Sequence, residues 1–157
     1  MTVRPAKFSD ILSLCKLAEE MHSRSVYAER CTLDRERFKK VCINSIRTHG
    51  KASCLYVFED KGRVTGFIIG VLDRVYGIAK EFYATDLFFF VSEEASGRAA
   101  PALLDAFTKW GERQPKVVEV FVGVSGAIGD WQRTVKMYER KGFRLDGAML
   151  TREVGNE

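Results

Sequence analysis

The apolar positions of this chain follow two rhythms, and the points where one replaces the other outline a fold. "TVRPA" (Thr2 to Ala6) is short, extended and stopped by Pro5, as an edge strand is. From Ile11, apolar residues recur at helical spacing through Leu14, Cys15, Ala18 and Met21, with Ser9 placed to cap that helix. A second helix is expected after a cap at Thr32. It carries Phe38, Val41, Cys42, Ser45 and Ile46 on one face and ends near His49 and Gly50. Strand chemistry then takes over: "SCLYVFE" and "VTGFIIGVL" flank "DKGR" (Asp60 to Arg63), a strong hairpin signal. "KEFYATDLFFFV" (Lys80 to Val91) turns apolar on both faces toward its end, as a strand covered on both sides does.

A helix is predicted from about Gly97 to Gln114, with Ala100, Leu103, Leu104, Phe107 and Trp110 on its apolar face. Pro101 fits only in its first turn, where the missing N–H costs nothing. "VVEVFVGV" (Val117 to Val124) reads as a strand. "DWQRTVKMYERK" (Asp130 to Lys141) reads as a helix with Trp131, Val135 and Tyr138 in line, ended by Gly142. "FRLDGAMLTREV" (Phe143 to Val154) is expected to close the chain as a strand. The order is strand, two helices, three strands, helix, strand, helix, strand: a mixed α/β fold, expected as one domain over residues 1–157.

Composition narrows the function classes. A hydrophobic content of 46% and a charged content of 29% are those of an ordinary soluble domain. The net charge of +4 suits anionic ligands but is too small and scattered for a nucleic-acid binder. The one dense basic stretch, Arg133 to Arg144, is interleaved with glutamate and apolar residues and reads as a solvated helix face. No signal sequence and no apolar run of about 18 residues is present, so neither secretion nor a membrane span is expected. Cys15, Cys42 and Cys54 fall on apolar faces, and Cys31 pairs with none of them in a Cys-x-x-Cys motif. This pattern points to reduced thiols in a cytoplasmic protein and away from a metal site. His22 and His49 are read as ordinary surface or cap histidines.

The chemistry concentrates at "EEASGRAAPALL" (Glu93 to Leu104), a loop of small residues entering an apolar helix. A helix N-terminus presents unpaired N–H groups and a partial positive charge, so such a loop can cradle an anion. It can equally be a plain connection. Glu93 and Glu94 oppose an anion unless their side chains turn away, and Arg98 either meets that anion or pairs with one of the two glutamates.

Element order and this loop together resemble the GNAT superfamily of acetyl-CoA-dependent N-acetyltransferases over essentially the whole chain. That family carries an Arg/Gln-x-x-Gly-x-Gly/Ala loop whose amides hold the coenzyme A pyrophosphate. Aligned on "AAPALLDAF", Ala95 takes the Arg/Gln position, Arg98 the first glycine and Ala100 the Gly/Ala position, so the first two depart from the pattern. "KMYERKGFRL" (Lys136 to Leu145) is similar to the family's tyrosine before a Gly-Phe pair, and "VRPAKFSDI" to its first strand and helix entry. Trp131 stands where the family often has asparagine and is assigned here to core.

The resemblance implies a gap between the fourth and fifth strands that takes the pantetheine arm along the backbone of Phe88 to Val91, chiefly Phe88, Phe90 and Val91. It implies a coenzyme cradle at Ala95, Ser96, Gly97, Arg98, Ala99 and Ala100. Tyr138 would protonate the leaving thiolate. Asp86, placed by simple alternation on the face of Phe88 and Phe90, would be the base, directly or through water. A structural Asp86 bonded to a neighbouring loop is the alternative, and Glu81 a weaker base. No metal is implied. The acceptor would be a primary amine of a small molecule, peptide or protein, and the family's habit of pairing through C-terminal strands makes a homodimer compatible with the closing segment. The rival reading is a non-catalytic module that keeps the fold, with or without coenzyme.

Overall fold

The computed structural model describes residues 1–155. Nine regular elements follow the expected order: β1 (Thr2–Pro5), α1 (Ile11–Arg24), α2 (Arg35–Arg47), β2 (Ser53–Asp60), β3 (Arg63–Arg74), β4 (Phe82–Val91), α3 (Ala99–Glu112), β5 (Val117–Phe121) and α4 (Trp131–Arg140). The strands form one sheet in the order β1-β2-β3-β4-β5. Every pairing is antiparallel except β4 with β5, which run parallel.

The caps of α1 and α2 differ from expectation. Asp10, not Ser9, stands at the entry to α1, where its Oδ2 accepts the Lys7 amide at 2.8 Å and Arg4 pairs with it at 2.8 Å. Asp34, not Thr32, caps α2, accepting the Arg37 amide at 2.9 Å. A carboxylate there also complements the positive end of the helix, which a hydroxyl does not.

The core has two layers. On one face of the sheet, Leu14, Cys15 and Ala18 of α1 and Phe38 and Cys42 of α2 pack on Leu55, Val57, Phe67, Ile69 and Phe90. On the other, Leu103, Leu104, Phe107 and Trp110 of α3 pack on Cys54, Phe58, Ile68 and Ala84, joined by Tyr138 of α4. Cys15, Cys42 and Cys54 are buried and Cys31 is exposed, and burial pushes the Cys42 and Cys54 thiols up to about 12. Glycine lets α3 sit this close. A Cβ on Gly70 would lie 2.6 Å from Phe107 Cε2 and 2.9 Å from Cys54 Sγ, and one on Gly111 2.8 Å from Ala84 Cβ.

The closing strand does not form among the described residues. After Gly142, which ends α4 at a φ of +91°, "FRLDGAMLTREV" runs on without regular structure. Leu150 and Val154 in it are 94% and 88% exposed. Its strand-like composition has no paired neighbour in the sheet, and β5 is left as an edge. Among the described residues, no helix is long and apolar enough to cross a membrane.

Candidate active site

The site is built where β4 and β5 part. Their parallel pairing runs from Phe82 opposite Val117 to Thr85 opposite Phe121 and stops there, while β4 continues alone on that side to Val91. At the fork, Asp86 Oδ1 accepts the Gly123 amide at 2.9 Å, a side-chain bond where a backbone rung would otherwise follow. The chain after β5 then straddles the opening. Val122 and Val124 pack on the α3 side and Ile128 on the α1–α2 side. Ala127 O accepts the Val26 amide from the segment after α1 at 3.0 Å.

A bulge decides what faces this fork. In the β3–β4 register Gly70 is opposite Asp86 but Ile69 is opposite Phe88, so Leu87 has no partner residue and is 48% exposed. The extra residue breaks strict alternation. Asp86 therefore does not share a face with Phe88 and Phe90, which belong to the α1–α2 layer. It lies opposite Gly70, whose free face abuts Phe107 and Cys54 on the α3 side, together with Phe89 and Val91. That is the side of Tyr138, close enough for the Asp86 charge to act on its hydroxyl.

Tyr138 is buried, stacked on Phe89 (centroids 6.4 Å, planes 16° apart) and tilted against Phe143 at 5.9 Å. Burial raises its pKa above the usual phenol value, and the Asp86 charge raises it further, so the hydroxyl keeps its proton. Burial likewise raises the Asp86 carboxyl above its usual value, opposed by the Gly123 amide. Trp131 is not core: at the start of α4 it is 42% exposed. Glu81 precedes β4 and is exposed, at the end of the strand remote from the fork.

Beyond Val91 the chain turns into α3. Ser92 N bonds Thr65 O at 2.8 Å, and Ser96 holds the following turn through Ala99 N to its carbonyl at 2.9 Å and Arg98 N to its hydroxyl at 3.3 Å. Among the described residues the amides of Ser96, Gly97 and Ala100 donate no hydrogen bond, and Pro101 has none to donate. Ala95 and Ser96 are half-buried, Gly97 and Arg98 exposed, and Ala99 buried beneath the turn. Ala99 and Ala100 open α3, which begins at Ala99 rather than Gly97.

The acids of this loop are both held in ion pairs. Glu94 pairs with Arg63 at 3.0 Å and Glu93 with Arg24 at 3.4 Å, while Arg98 has no ion-pair partner among the described residues. Sequence reasoning missed Arg24 and Arg63, and also Glu20, whose Oε1 accepts Ser92 Oγ at 3.0 Å and Glu93 N at 3.3 Å across 72 and 73 positions of sequence. No local pattern announces contacts so distant.

No family model and no curated protein matches this sequence. Solved structures match its fold along nearly the whole chain. AAC(6')-Iy, in complex with the bisubstrate analog CoA-S-monomethyl-acetylneamine, superposes with a TM-score of 0.72 at 14% identity, over 98% of each chain. Glucosamine-6-phosphate N-acetyltransferase from Arabidopsis thaliana gives 0.71 at 13% identity, over 98% of each chain. An acetyltransferase from Trypanosoma brucei gives 0.69 at 15% identity, over 98% of this chain and 99% of that one. The fold is the GNAT acetyltransferase fold, a mixed, mostly antiparallel sheet between helices.

Proposed function

We propose that this protein is an acyltransferase that moves the acetyl group of acetyl-CoA to a primary amine. The observation that carries the reading is the fork itself. Two parallel strands part beyond Thr85 and Phe121, beside a helix entry where, among the described residues, three amides donate no bond and Arg98 has no ion-pair partner. A solved structure of the same fold is complexed with a CoA bisubstrate analog. In this reading the amides of Ser96, Gly97 and Ala100 and the Arg98 guanidinium hold the pyrophosphate, with Ala95 and Ala99 walling the turn. The pantetheine arm lies along the unpaired edge of β4 at Phe88, Phe90 and Val91.

The chemistry follows from what the residues can hold. A free alkylamine has a pKa of about 10.4 and must lose a proton before it can attack. Asp86, with its pKa raised by burial, is a stronger base than an exposed carboxylate and takes that proton directly or through water. A backbone N–H on the unpaired edge of β4 polarises the thioester carbonyl. As the tetrahedral intermediate collapses, the C–S bond breaks and the Tyr138 hydroxyl donates to the departing sulfur. A phenol with a raised pKa gives up its proton only to a strong base, so this transfer accompanies the charge that develops on sulfur as the C–S bond breaks.

The test is to incubate the protein with acetyl-CoA and a panel of primary amines, measuring bound coenzyme by calorimetry and free thiol release over time. Binding with amine-dependent thiol release is expected. Binding without release for any amine would leave a coenzyme-holding module, and absence of both would overturn the reading.

A further inference from the structure

Two acids sit at the mouth of a loop read as an anion site, and both are held by arginines from elsewhere in the fold. Arg63, at the start of β3, takes Glu94 at 3.0 Å. Arg24, in the last turn of α1, takes Glu93 at 3.4 Å and Glu20 at 3.5 Å, with its guanidinium 5.5 Å above the Phe90 ring. Glu20 in turn accepts the Ser92 hydroxyl and the Glu93 amide, fixing the root of the loop. Released, either carboxylate would stand a few residues before the amides of Ser96, Gly97 and Ala100 and before the Arg98 guanidinium, which have no partners among the described residues. A carboxylate is a good ligand for such a helix end, and one tethered this closely acts at an effective concentration in the millimolar range.

We propose that Arg24 and Arg63 are positioning residues for coenzyme binding: they hold Glu93 and Glu94 away from the cradle and so keep the chain from occupying its own anion site. This rests on the coenzyme reading given above. The Arg63–Glu94 pair is exposed and contributes little to folding, whereas Arg24 is half-buried, so the Arg63 arm separates the proposal from a purely structural role. Their effect is felt by the ligand, because an unmasked carboxylate both competes for the donors and repels the incoming phosphate.

The test is a pair of double-mutant cycles read by calorimetric titration with coenzyme A, each variant's folding checked by thermal melting. Arg63→Ala and Arg24→Ala should each weaken coenzyme A by about three- to tenfold, the scale of one exposed charge acting on a helix terminus and on a nearby like charge. Adding Glu94→Gln to the first and Glu93→Gln to the second should restore affinity to within about twofold of the parent, because the competing charge is then gone. Arg63 lies on the hairpin and is the safer variant should Arg24→Ala melt early. Single arginine variants that bind like the parent would overturn the proposal. So would double variants as weak as the singles, since the arginines would then act on the ligand directly. A parent protein that binds no coenzyme A would instead overturn the coenzyme reading itself.

Discussion

Asp86→Asn separates a working carboxylate from a structural one. The substitution keeps the shape and leaves an amide oxygen able to accept the Gly123 amide, now 2.9 Å from Asp86 Oδ1, while removing the charge. Burial raises the Asp86 pKa in the folded protein above 3.8 despite that bond, so the native state holds this proton more tightly than the unfolded chain does. The sign follows by linkage. Below the unfolded value both states are protonated and nothing is lost. As pH rises from there toward the folded value, wild type loses about 1.4 kcal/mol per pH unit from this group, and above the folded value the loss is constant. Asparagine pays none of it. The stability difference, variant minus wild type, should therefore grow in the variant's favour between acid and neutral pH, with each kcal/mol moving the melting temperature by about 2–4 °C for a chain of this size. Urea melts of both proteins at several pH values read the difference directly, and the titration of all other carboxylates cancels in it. Acetyl transfer should fall by about 10²–10⁴-fold in the same variant. A stability difference that is flat or moves against the variant as pH rises would refute the argument and make the charge a favourable clasp for Gly123. Unchanged turnover with an unchanged pH profile would remove Asp86 from the mechanism.

Other outcomes follow from the same geometry. Arg98→Ala should weaken coenzyme A by about 1.5–3 kcal/mol and flatten the salt dependence of binding, and parental affinity with the parental salt slope would assign the holding to the amides alone. Tyr138→Phe should leave coenzyme affinity nearly unchanged and lower turnover by about 10²–10⁴-fold, because only the hydroxyl is lost from a ring that keeps its stack on Phe89. Gly70→Ala should cost about 1–3 kcal/mol in urea unfolding, since its methyl would arrive 2.6 Å from Phe107, and a neutral result would mean that α3 yields easily. If the exposed apolar residues after Gly142 cover the β5 edge of a second copy, sedimentation should show a dimer that a chain cut after Arg144 cannot form.

Element order was legible because each layer of core imposes its own period. The apolar stripes of α1, α2 and α3 and the runs of β2 to β4 meet the two cores that the periodicity implies. What escaped depends on pairing at a distance. "FRLDGAMLTREV" has strand composition, yet composition supplies no partner, and among the described residues no strand lies against it. The bulge at Leu87 carries no glycine or proline to mark it. It arises where Gly70 and Ile69 of a different strand register against Asp86 and Phe88. Simple alternation therefore places Asp86 on the wrong face. The arginines holding Glu93 and Glu94 come from α1 and β3, and nothing in the loop's own sequence points to either.

Arg98 asks nothing of the loop backbone that a glycine would be needed to supply. Glycine at the position of Arg98 would matter most if the backbone there required a positive φ or lay under another chain segment. Neither holds. Arg98 has φ −82° and ψ −16°, a right-handed conformation that any residue adopts, and its neighbour Gly97 has nothing within 4 Å of where a Cβ would stand. The arginine therefore sits there without backbone strain, and the amides of Ser96, Gly97 and Ala100 have no hydrogen-bond acceptor among the described residues. Its consequence is confined to the side chain, which adds a positive charge at the entry to α3. On the coenzyme reading proposed above, Arg98 places a cation at the helix entry on an exposed stem able to reach a bound anion from the side.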